Sequence, residues 1–94
     1  MRILGFEWDE TNRRKLDSHD LEPDAIEGMF ADGDPYVIAH PRRRDRYVAL
    51  GFAGDRFVLT VFEHDAATRW ARVVTAYEPT NPGWWRRYAK AKGL

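Results

Sequence analysis

The strongest constraint on the fold lies between Tyr36 and Tyr77, where hydrophobic periodicity settles to two and four β-type runs follow one another with little between them. Tyr36 to His40, Arg46 to Phe52, Arg56 to His64 and Trp70 to Tyr77 are each rich in Val, Phe, Tyr and Thr. Ala53-Gly54-Asp55 reads as a tight hairpin loop and Asp65 to Thr68 as the next one. Connections this short leave no room for a crossover, so the three consecutive runs from Arg46 to Tyr77 are expected to pair as an antiparallel meander.

Upstream of the meander, Ile3 to Trp8 reads as a short strand that Gly5 weakens and Asp9 closes. The Asp9 carboxylate suits a helix start, and a helix is expected from Glu10 to Ser18 with Asn12, Arg13, Arg14 and Lys15 outward and Leu16 inward. Pro23 fits the first turn of a second helix, whose Ile26, Met29 and Phe30 form one apolar stripe before Asp32-Gly33-Asp34-Pro35 ends it. Pro79 and Pro82 break the chain ahead of a last helix, from Gly83 or Trp84 to Lys92. The expected architecture is one α+β domain over residues 1–94, a small antiparallel sheet in the order β-α-α-β-β-β-β-α with helices on one face.

Composition excludes several chemistries. The chain has no cysteine, so disulfide frameworks, thiolate nucleophiles and cysteine zinc sites fall away. His19, His40 and His64 lack metal-ligand spacing, and no cofactor is implied. The only serine, Ser18, has no strained elbow, and the glycines do not form a phosphate loop. No apolar run reaches the roughly 20 residues of a membrane span, and no signal peptide is visible. A cytoplasmic protein is expected. Lys plus Arg equals Asp plus Glu at 15 each. Most acids fall between Glu7 and Asp34 and most cations from Arg42 onward, an asymmetry compatible with one basic face.

Metal-free RNA cleavage remains open because it asks little of a sequence. The substrate 2′-hydroxyl is the nucleophile, so what is needed is a base, cations around the phosphate, and an acid or water at the leaving 5′-oxygen. Alternation puts Arg46 in a row with Val48, Leu50 and Phe52, and Arg72 with Trp70, Val74, Ala76 and Glu78. Ala71, Val73, Thr75 and Tyr77 then form the opposite row. His19, at the end of the first helix, either complements the helix dipole or takes part in catalysis. Trp8 and Trp70 are expected in or beside the core. One of Trp84 and Trp85 is expected to pack while the other is free to stack a base or hold a partner.

The order of Phe6-Glu7-Trp8-Asp9, Asn12, His19, Asp34-Pro35, Arg46-Tyr47 with Ala49-Leu50-Gly51, Phe57 to Glu63, Arg72 to Ala76 and Tyr88 resembles the BrnT-type toxins of bacterial toxin-antitoxin pairs. The resemblance implies a RelE-like fold and a metal-independent endoribonuclease that arrests translation. It implies His19, Arg46, Arg72 and Tyr77 as catalytic groups and Arg43, Arg44, Arg87 and Tyr88 as RNA contacts. It also implies a cognate antitoxin, often a DNA-binding protein, with assembly as a homo-oligomer or as a heterotetramer with that antitoxin. Tyr77 stands where such toxins carry arginine, and Gly83-Trp84-Trp85 where a glutamate precedes arginines. A second reading is therefore a catalytically degenerate relative kept as a protein-binding module.

Overall fold

A computed structural model describes all 94 residues, Met1–Leu94. The elements are β1 (Gly5–Glu7), α1 (Glu10–Asp17), α2 (Pro23–Asp32), β2 (Tyr36–Ala39), β3 (Arg46–Ala53), β4 (Arg56–His64), β5 (Trp70–Tyr77) and α3 (Pro82–Lys92). Strands β2 to β5 pair as the expected antiparallel meander, and a two-residue Gly54-Asp55 turn, with Gly54 at φ 66°, joins β3 to β4.

Two expectations are corrected. The sheet is mixed, because β1 joins its edge parallel to β5 in the order β1-β5-β4-β3-β2. The return from β1 to β5 spans most of the chain, so no local loop length announced it. The helices also occupy both faces of the sheet. Leu16 of α1 and Ile26 and Met29 of α2 pack on Ala49, Val58, Phe62, Ala71, Val73 and Ala76. Tyr88 of α3, with Trp84 beside it, packs on Val48, Leu50, Leu59 and Val61 across the sheet. Inward residues on both sides of β3 and β4 required a second cover. α3 meets that need over one end of the second face and leaves the other end open.

A β-bulge in β5 corrects a third expectation. Phe62 pairs with Val73 and Val61 with Thr75, so Val74 is the extra residue. Beyond it the alternation inverts: Ala76 joins Ala71 and Val73 in the α1/α2 core, whereas Tyr77 moves to the α3 face. One inserted residue thus reassigns every side chain that follows it.

The N-terminal seam depends on Asn12, expected outward but only 1 % exposed. Asp9 caps α1 by accepting the Asn12 backbone N–H at 3.0 Å, and the Asn12 side-chain oxygen accepts the Asp9 N–H at 2.8 Å. The Asn12 amide nitrogen also donates to the carbonyls of Glu7 at 3.0 Å and Val73 at 3.1 Å, joining β1 to β5. Replacing Asn12→Ala would strand buried partners on three segments. A loss of about 3 kcal/mol is expected, measured as a fall in the urea midpoint at unchanged m.

Candidate functional site

The end of the α3 face that the helix leaves uncovered carries a cross-strand row of alternating charge. Glu7 on β1 is in register with Arg72 on β5, Arg72 with Glu63 on β4, and Glu63 with Arg46 on β3. Opposite charges at adjacent positions attract, which supports the register as well as the site. Arg46 Nε lies 3.6 Å from Glu63 Oε2, and Arg72 Nη1 lies 2.6 Å from Asp9 Oδ2. Both nitrogens are buried and face these carboxylates as ion pairs.

Above the row opens a cleft of about 570 Å³, bounded by Glu7, Asp45, Glu63, His64, Asp65, Thr68, Trp70 and Arg72, a volume in the ordinary range for ligand sites. Trp70 was expected in or beside the core, yet it is 48 % exposed. Its indole lies over Gly5, where an added Cβ would come within 2.8 Å of the ring. Gly5 is therefore the residue that lets the indole lie flat against β1 with its outer face in water. The His64 ring nitrogen Nε2 is 3.0 Å from the Arg2 carbonyl, which ties the N-terminal segment to the rim of the cleft.

The expected site residues divide into separate groups. Arg46 and Arg72 are brought together around Glu63. His19 and Tyr77 are also brought together, with ring centroids 5.7 Å apart. However, Tyr77 is five residues along β5 from Arg72, a separation of about 16 Å. Arg56 fixes that second group. It donates to the His19 carbonyl at 3.0 Å and to the Asp20 carbonyl, and pairs with Glu78 at 2.6 Å, which raises the guanidinium pKa above its ordinary value. The carbonyls of the turn that follows α1 are satisfied in this way.

Arg43 and Arg44 lie in the β2–β3 loop at the Arg46 end, and Arg43 Nε is 3.8 Å from Asp45. The loop is held by His40, whose Nδ1 accepts the backbone N–H groups of Arg42 and Arg43, each at 3.1 Å. Arg87 is on α3 with its guanidinium 5.6 Å over the Trp84 ring. Tyr88 is buried in the core beneath α3 against Phe57 and Trp85, so its ring is packed rather than free to stack a base.

Glu63, His64 and Trp70 were not singled out from sequence as site groups. The signal that could have found Glu63 was the two-residue turn at Gly54-Asp55, because it sets Ala53 opposite Arg56 and counting back along both strands sets Arg46 opposite Glu63. His, Cys, Asp and Glu side chains form no cluster suited to a metal ion. No helix is long and apolar enough to cross a membrane. No family profile matches the chain, and no curated protein or solved structure matches it.

The Asp9–Arg72 contact is open to a pH test. The Asp9 carboxyl is held below its ordinary value of 3.8, first by the Asn12 backbone N–H and then by the Arg72 guanidinium, with partial desolvation opposing them. A lowered folded-state value means stability that is present above the ordinary carboxylate range and lost as pH falls through the folded value. Asp9→Asn keeps a capping oxygen but removes the charge. Its deficit in urea midpoint relative to the natural chain is expected at pH 7, narrowing below about pH 4 as the natural carboxyl protonates.

Proposed function

We propose that the chain is a BrnT-type toxin on a RelE-like scaffold, acting in the cytoplasm as a metal-independent endoribonuclease and neutralised by a cognate antitoxin. The observation that carries this reading is the Arg46–Glu63–Arg72 row on the open end of the sheet, with Trp70 exposed beside it. A carboxylate between two guanidinia has the parts that 2′-hydroxyl attack requires. Glu63 takes the proton from the 2′-oxygen, and Arg46 and Arg72 neutralise charge as the phosphorane forms. The P–O5′ bond then breaks as the leaving 5′-oxygen takes a proton from water or from the Glu63 carboxylic acid, giving a 2′,3′-cyclic phosphate and a free 5′-hydroxyl. Both arginine side chains are partly exposed, so their guanidinium groups can meet phosphate oxygens at the open end of the sheet. Trp70 offers a flat face on which a neighbouring base can stack. In this arrangement Glu63 is the base, in place of His19, which the sequence offered as a candidate base or acid. His19 and Tyr77 sit at the far end of β5, too remote to act on the same phosphate.

One observation favours the second reading, a degenerate relative that binds protein. The cleft is rimmed by Glu7, Asp45, Glu63 and Asp65, which attract a basic side chain of a partner more readily than a phosphate.

Incubation of purified protein with total RNA in EDTA separates the two. Cleavage is expected, with Glu63→Gln, Arg46→Ala and Arg72→Ala each slowing it by about 100-fold or more. His19→Ala is expected to stay within about 2-fold, the ordinary outcome for an exposed group outside the reacting centre. Intact RNA together with a complex disrupted by Glu63→Gln or Asp65→Asn would transfer the site to the protein-binding reading. Equal loss of cleavage in His19→Ala and Glu63→Gln would refute the assignment of the base.

A further inference from the structure

The last helix differs in charge from the rest of the molecule. Between Pro82 and Lys92 it carries Arg86, Arg87, Lys90 and Lys92 and no Asp or Glu. Lys92 is engaged, since its Nζ contacts the Asp34 carbonyl and lies 3.1 Å from Asp34 Oδ2. Arg86, Arg87 and Lys90 are exposed and form no ion pair, in contrast to Arg46, Arg56 and Arg72, each of which has an acid beside it.

Aromatic rings share this surface with the free cations. Trp85 is 42 % exposed and Phe52 37 %. The Trp85 ring stands edge-on to Phe57 at 5.1 Å and to Phe52 at 6.1 Å, and Tyr88 backs the group at 5.7 Å from Trp85. These rings are therefore preorganised, and ordering them on binding costs little side-chain entropy. On the neighbouring side of the helix a shallow cleft opens between Asn81, Gly83, Trp84 and Arg87.

Three unpaired cations beside the solvent-facing Trp85 indole match what a single nucleic-acid strand presents, a phosphate line with unstacked π-faces. An RNA duplex would offer the phosphates but keep its base faces stacked away. An acidic protein segment would answer the cations and leave the rings without a stacking partner.

We propose that α3 is the docking platform for a single RNA strand, with Trp85 stacking a base and Arg86, Arg87 and Lys90 contacting phosphates. The inference rests on the RNA reading above and adds where the strand is held. α3 covers one end of the sheet face whose other end carries Arg46, Glu63 and Arg72. A strand leaving α3 follows β4 from Phe57 to Glu63, six residues or about 20 Å.

The test uses a labelled single-stranded RNA of about 12 nucleotides, a length within single-strand site sizes, with every 2′-hydroxyl methylated so that cleavage is impossible. Binding is followed by anisotropy and by quenching of tryptophan emission. The natural chain is expected to bind in a salt-dependent manner, and a hairpin of the same length more weakly. Trp85→Ala and the double variant Arg86→Glu/Arg87→Glu are each expected to lose about 10-fold or more in affinity, while Trp85→Phe retains most of it. Thermal melts identify any variant that fails to fold. If Trp85→Ala also lowers the melting temperature, the double variant, which changes only exposed cations, decides the matter.

Unchanged RNA affinity in the folded double variant would overturn the proposal. So would unchanged RNA affinity accompanied by loss of a protein partner, which would make α3 a protein-docking surface. Binding as described with no cleavage of natural RNA would sink the nuclease reading and leave the platform standing. Cleavage that is indifferent to the α3 variants, with unchanged affinity, would do the reverse.

Discussion

The buried carboxamide of Asn12 is the interaction on which the N-terminal third depends. A three-residue strand added parallel to a sheet edge has few ladder bonds of its own and would fray in water. Asn12 supplies the missing connections by completing the α1 cap, binding the carbonyl of Glu7 on β1, and binding that of Val73 on β5. Helix start, edge strand and central sheet are thereby ordered together. Asp9, positioned by the same cap, can then reach Arg72, so the element that begins α1 also braces one arginine of the charged row.

The equal count of acids and bases acquires a spatial meaning. On the open end of the sheet, charges alternate across four strands and largely cancel, leaving a cleft with acidic rims and two partly exposed arginines paired with carboxylates. On α3 the cancellation is absent, and cations stand in water beside the Trp85 indole. A chain with no net charge thus presents one neutralised charged surface and one basic surface. Not every cation of the second half belongs to the basic one: Arg56 and Arg72 fold against Glu78 and Asp9, and Arg42, Arg44 and Arg69 stand exposed elsewhere.

The meander was legible because its period of two and its short loops leave one way to pair adjacent strands. The Ile26, Met29 and Phe30 stripe was legible for the corresponding reason on a helix, and Ile26 and Met29 are buried as that stripe requires. Asn12 was not, since a polar residue at a helix start reads as solvated until the carbonyls beside it are known. The β5 bulge was not either. Trp70 to Tyr77 alternates acceptably without it, and only the pairing of Val61 with Thr75 reveals the extra residue. Tyr77 and Arg72 were assigned to opposite rows by strict alternation. The bulge puts them on one face, yet the length of the strand keeps them apart.

By itself the sequence determined the elements, their order, the antiparallel pairing of β2 to β5 and the absence of cysteine chemistry, because each follows from local periodicity or from composition. Tertiary structure decided the rest. It placed β1 parallel to β5, put α3 on the second face, set Glu63 between Arg46 and Arg72, and separated His19 and Tyr77 from that pair. These outcomes depend on contacts between residues far apart in the chain, where register and sheet order, not nearest neighbours, determine which side chains meet.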